Sequence, residues 1–206
     1  DIFTIARFFN EGRGGYAIAS IAFVVVSLWI QFVIVIGQNR NLGIKKLAYE
    51  MLIVSFLLKP AIDARRVARG DAQEEGALFD PQFELTLTKL AEIFAEAIPS
   101  SVLQTYALFG VEEVKLSAVL SVLSSAFALS YSSSVISFDW DIDPSKRSTA
   151  PNFYGYVKDT NRNSVMFIMI AMTTSHVLMK LIACSLILRL SGTWFLLYMA
   201  GDMSIY

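Results

Sequence analysis

One cysteine, Cys184, and one histidine, His176, are all that the 206 residues hold of the two side chains most used in nucleophilic and metal chemistry. A lone cysteine excludes an internal disulfide, and the pair cannot furnish a zinc site of the usual kind. Charge is scarce as well, at 17% of residues against about 25% in soluble domains. Lys and Arg number 17 and Asp and Glu 18, a net charge of −1, so the clustered basic footprint of a nucleic-acid binder is missing. No nucleophile elbow, phosphate-cradling glycine loop or His-Glu metal motif occurs. The chain is therefore expected not to be an enzyme, with no catalytic residue, metal or cofactor. It opens on Asp1 with no signal or transit peptide in view, which reads as a fragment or a processed product.

What the chain has is apolar length: 55% hydrophobic residues and a mean hydropathy of +0.54. Residues 16–37 carry no charge, and Ser20, Ser27 and Gln31 are their only strongly polar members. As a helix this stretch rises about 33 Å, enough to cross a hydrocarbon core of about 30 Å. Residues 116–138 form a second charge-free run, and 164–188 a third, interrupted only by His176 and Lys180. Residues 85–109 are long enough to span but carry charges, so they belong among other helices. Segment 47–62 contains Glu50 and Lys59-Pro60 and is expected to span with tilt or to enter part-way, while 194–206 is apolar and aromatic. The expected fold is all-α: a polytopic helical membrane bundle with about five to six membrane-embedded helices, at least one kinked or part-way. It forms a single integral membrane domain over 1–206. Longer polar connections are expected at 63–84 and 139–163.

The charges inside 85–109 are Lys89, Glu92 and Glu96. Steps of three and four residues place them within roughly 60° of arc on one helical face. Lys89 can pair with Glu92, and Glu96 lies one turn further along. Two carboxylates four residues apart repel when both are ionised, so one takes up a proton or finds another cation, with Lys59, Lys180 and Arg189 as candidates. Such a stripe serves either as a polar track for ions or lipid headgroups or as an ion-pair network that fixes helix register. Pro99 removes a backbone hydrogen bond and should bend or break the helix, with Ser100, Ser101 and Gln104 placed to satisfy freed carbonyls or line a cavity.

Other residues carry weaker signals. Lys59, Asp63 and Arg66 are spaced for a ladder on one helical face. Arg65, Arg66 and Arg69 form a basic cluster that would meet anionic headgroups or snorkel at a helix end. Ser117, Ser121 and Ser125, with Ser124 and Ala128 beside them, suit close helix packing. His176 reads as a satisfied core residue. Asp139, Asp141 and Asp143 alternate like a calcium loop but lack its glycine and distal glutamate, so Asp-Pro turn chemistry accounts for them better.

The run Lys89-Leu-Ala-Glu92-Ile-Phe-Ala-Glu96-Ala-Ile-Pro99-Ser-Ser-Val-Leu-Gln104-Thr-Tyr106 resembles a helix of the XK-related membrane proteins. That helix has a lysine, two glutamates and a proline at this spacing, then Leu-Gln and an aromatic; Ser100 stands where the family usually has glutamine. Residues 1–31 are more loosely similar to the end of the family's first helix and its second, and Leu57-Leu58-Lys59-Pro60 to a Leu-Gly-Pro-type turn. The resemblance implies a bundle with charges stacked through the membrane interior and a missing N-terminal helix. It also implies phospholipid scrambling between leaflets, in some members after proteolytic activation, or partnership with bridge-type lipid transfer proteins. The track would comprise Lys89, Glu92, Glu96, Gln104 and Lys180. The expected partners are membrane lipids and membrane protein subunits, with no nucleic acid. Two rival functions use the same features: a non-catalytic structural subunit of a larger membrane complex, and an ion channel or transporter.

Overall fold

The structure, a computed structural model, describes residues 2–111, 113–142, 157 and 159–205, and every regular element among them is helical. Among the described residues, three helices are long and apolar enough to cross a membrane: Gly14–Asn39, Arg162–Leu190, and the 116–138 part of a third. These are the three charge-poor runs of the sequence. Three such helices are compatible with an integral membrane protein; the expected five to six membrane-embedded helices, some part-way, are not confirmed by length and composition of the described residues. The chain divides into two compact units, Asp1–Ser100 and Ser101–Tyr206.

In the first unit α1 (Ile2–Asn10) lies on α2 (Gly14–Asn39), with Phe8 fully buried and its ring 5.6 Å from that of Tyr16. Segment 47–62 is not one helix. It divides into α3 (Ile44–Ser55) and α4 (Lys59–Arg69), each under about 20 Å long and too short to span. The break is a helix stop of the Schellman type. Leu58 N donates to Ile53 O at 3.1 Å and Leu57 N to Val54 O at 2.9 Å, with Leu57 left-handed at φ 59°. The end of α4 repeats the motif with Gly70 at φ 69°, the residue type that this conformation favours.

A connecting loop then leads into α5 (Pro81–Glu92), whose first turn is capped by Asp80, its carboxylate accepting from Phe83 N at 2.8 Å. Pro99 neither breaks nor ends this helix. It has no N–H for the Ala95 carbonyl and its ring crowds that oxygen, and the chain widens into a π turn over Ile93–Ala97 before α6 (Ile98–Phe109) resumes. Ile98 N reaches back to Ile93 O, the five-residue step that defines such a turn.

The second unit is built on α7 (Leu116–Ile142) packed along α8 (Arg162–Leu190), with α9 (Gly192–Ile205) folded against α8. The face of α7 that packs is not the one expected. Ser117 and Ser124 are exposed, while Val122, Ala126, Leu129, Ser130 and Ser134 are buried. Ser130 donates to its own helix at Ala126 O (2.6 Å), and Ser134 meets Thr173 of α8 at 3.2 Å. α7 continues through Ile142, into the expected 139–163 connection, and Asp143 lies outside the described residues.

Candidate functional site

The inward face of α2 is polar. Ser20, Ser27, Gln31 and Gln38 are all buried, and steps of seven, four and seven residues keep them within roughly 40° of arc. From Ser20 to Gln38 the stripe rises about 27 Å, close to the thickness of a hydrocarbon core. Outward, the same helix exposes Ile18, Val25, Trp29 and Val33, as a lipid-facing surface would. α5 and the π turn run antiparallel against the polar stripe. Gln38 Nε2 donates to Glu84 at 3.2 Å and to Phe79 O at 2.8 Å, and Gln38 Oε1 accepts from Phe79 N at 2.7 Å. At the other end the Ser27 hydroxyl, which accepts from Gln31 Nε2 at 3.3 Å, hydrogen-bonds the carboxyl of Glu96. Two atoms of this seam, Ser20 Oγ and Gln31 Oε1, are buried with no hydrogen-bond partner among the described residues. Buried polar atoms are rarely left so, and each needs a reason.

The charge triplet forms the outer edge of the seam. Lys89 pairs with Glu92 at 2.8 Å as its spacing implies, but their side chains are 30% and 38% exposed and Glu96 is half-buried. The sequence pointed to the triplet as the buried charge stack. The fully buried charges lie instead where α3, α4 and α5 meet. There the Lys59 ammonium, wholly enclosed, donates to Glu84 at 2.5 Å, Asp63 at 2.7 Å and Glu50 at 3.0 Å. Arg66 closes the cluster on Glu50, with Asp63 3.4 Å away, and Thr88 stands 3.5 Å from Asp63. Burial pushes the Glu50 carboxyl up, but Arg66 and Lys59 outweigh it and hold Glu50 below the ordinary glutamate range. Three carboxylate oxygens within 4.8 Å of one another could hold a metal cation; here the ammonium of Lys59 takes that place.

The remaining sequence candidates separate. Arg66 is drawn inward to Glu50, while Arg65 and Arg69 are exposed. Gln104 and Lys180 belong to the second unit. Gln104 is buried and its Oε1 accepts from Ser121 at 3.0 Å and from Ser125 at 3.4 Å, a use of those serines that helix packing alone did not suggest. Lys180 is bound by both carboxylate oxygens of Asp202 in α9, at 2.9 and 2.7 Å. Arg189 donates to Phe109 O and lies over the Tyr106 ring at 5.9 Å. His176 is exposed on α8, not a core residue. The α2 stripe and Glu84 were missed by sequence reasoning. The stripe's signal was present, since polar residues that repeat at seven and four in a charge-free helix mark one packed face.

No protein-family profile, curated protein or solved structure matches this chain.

Proposed function

We propose that this chain handles phospholipids inside the membrane in the manner of the XK-related scramblases, guiding headgroups along the α2–α5 seam while acyl tails stay in lipid. The observation that carries this is the polar stripe on the inner face of a helix otherwise apolar enough to span. A headgroup in bare hydrocarbon meets a large desolvation penalty, and a line of polar partners across most of the core lowers it. A zwitterionic headgroup presents both signs of charge. Its phosphate suits the half-exposed Lys89, and its ammonium suits Glu92, Glu96 and the unpartnered Gln31 Oε1. Arg65 and Arg69, exposed at the end of α4, are placed to hold anionic headgroups at the interface.

Reconstitution in vesicles with fluorescent lipid tests the proposal. Glu92→Gln and Glu96→Gln should each slow lipid exchange by about tenfold or more, the loss expected for one charged hydrogen bond of about 1.5–3 kcal/mol. Unchanged exchange in both variants would sink it, and flux of ions without lipid exchange would select a channel or transporter instead.

One feature favours a second function, that of a non-catalytic subunit in a larger membrane complex. Almost no residue in the most apolar stretch of α8 is buried, and Phe167, Met172, Met179 and Leu190 all face outward. A neighbouring helix could cover that face as well as lipid does. Obligate co-purification with another membrane protein supports this function, and lipid exchange by the chain alone contradicts it.

A further inference from the structure

The buried cluster does not balance. Glu50, Asp63 and Glu84 set three carboxylates against two cations, Lys59 and Arg66. With every group ionised, one negative charge is left in excess. Away from water such a surplus is relieved by a cation or by a proton. Lys59 already fills the space between the three carboxylates, at 2.5 to 3.0 Å from each, so no room remains there for a second cation. A proton needs no room.

Glu50 is the best compensated of the three acids, and of the other two Asp63 is the more deeply buried. Glu50 has the close contact with Arg66 in addition to Lys59, and Glu84 has Gln38 in addition to Lys59. Asp63 shares Lys59 with both, has Arg66 only at 3.4 Å, and otherwise meets the neutral Thr88. We propose that Glu50, Lys59, Asp63, Arg66 and Glu84 form a proton-binding site, holding one exchangeable proton at Asp63, and that release of this proton loosens the packing of α4 against α5.

Among the described residues, α3 supplies Glu50 to the site, α4 supplies Lys59, Asp63 and Arg66, and α5 supplies Glu84; α2 presents the neutral Gln38 and Asn39. A cavity of about 60 Å³ runs beside the cluster, lined by Arg66 and Glu84 at its inner end and by Lys46, Asp71 and Glu74 toward the surface. It is large enough for several waters and gives the proton a wet path. Burial pushes the Asp63 carboxyl up against the pull of Lys59, to about 6, so exchange falls near neutral pH. Because the acids share Lys59, the titration belongs to the cluster more than to any single residue.

The test uses the full chain in detergent micelles and needs no lipid substrate, so it stands apart from the fate of the scrambling proposal. Infrared difference spectra are recorded between about pH 8 and about pH 5. The wild type should gain a protonated carboxylic-acid carbonyl band with a midpoint of about 6. Asp63→Asn should lose this band. Glu84→Gln removes the same surplus charge and should lose it too, so one variant decides if the other fails to fold. In parallel, the melting temperature of the wild type should fall as pH rises through the midpoint, and that of the variant should stay flat. A wild type with no such band overturns the proposal, as does a wild-type midpoint retained in each variant that folds.

Discussion

At the scale of single residues, the cluster gives the same chemical change opposite outcomes at two positions. Glu50→Gln also removes one negative charge, but it takes the close partner of Arg66 and leaves that guanidinium only Asp63 at 3.4 Å. A loss of about 1.5–3 kcal/mol in unfolding free energy is expected, the range for one charged hydrogen bond. Asp63→Asn removes the surplus charge and keeps the shape and an acceptor oxygen for Lys59. At neutral pH it should leave stability unchanged or raise it. The sign follows from linkage. Asp63 has a folded pKa of about 6, above its ordinary 3.8, so the folded state binds the proton more tightly. The stability this contributes is complete below about pH 4 and is lost as pH rises through 6, an effect of about 3 kcal/mol. Chemical unfolding of wild type and Asp63→Asn at several pH values checks both claims. The Lys59–Asp63–Arg66 ladder was legible because its spacing is local. Glu50 and Glu84 were not, since they lie 9 and 25 residues from Lys59 and reach it only through packing.

At the scale of elements, the three long apolar helices could be read directly, because a run of about 20 uncharged residues needs only length to identify it. The division of 47–62 could not. Phe56-Leu57-Leu58 has no glycine to announce a helix stop, and Leu57 adopts a left-handed conformation that its side chain disfavours by roughly 1–2 kcal/mol. Tertiary contacts hold it there: the Lys59 cluster fixes α4 on one side, and α2 fixes α3 on the other. Leu57→Gly should therefore be tolerated or mildly stabilising, whereas Leu57→Val, β-branched and stiffer, should cost about 1 kcal/mol or more in thermal or chemical unfolding. Equal effects of the two changes would show that the turn is unstrained. The π turn follows the same logic. Pro99 announced a disturbance, but whether a helix bends, breaks or widens depends on what can absorb the displaced carbonyl. Here the α2 face, with Ser27 bonded to Glu96, holds the widened turn in register.

At the scale of the whole molecule, each long helix makes a separate claim about crossing. Outward α2 offers Ile18, Val25, Trp29 and Val33, and α8 offers Phe167, Met172 and Met179, surfaces that water would not tolerate in such number. If α2 crosses, the residues flanking it lie on opposite faces of the membrane. If α7 crosses and α8 returns, the start of α7 and the end of α8 share a face. Buried Cys184 is the only cysteine, so a Cys184→Ala background leaves clean sites for single-cysteine labelling. With a membrane-impermeant maleimide, Glu11→Cys and Asn41→Cys should label from opposite sides, and Lys115→Cys and Ser191→Cys from the same side. Glu11 and Asn41 labelled from one side would place α2 in the plane of the membrane. The stripe from Ser20 to Gln38 would then no longer bridge the two leaflets, and the scrambling proposal would lose its physical basis. The proton-binding site would survive that result, since α3, α4 and the start of α5 build it without requiring any helix to cross.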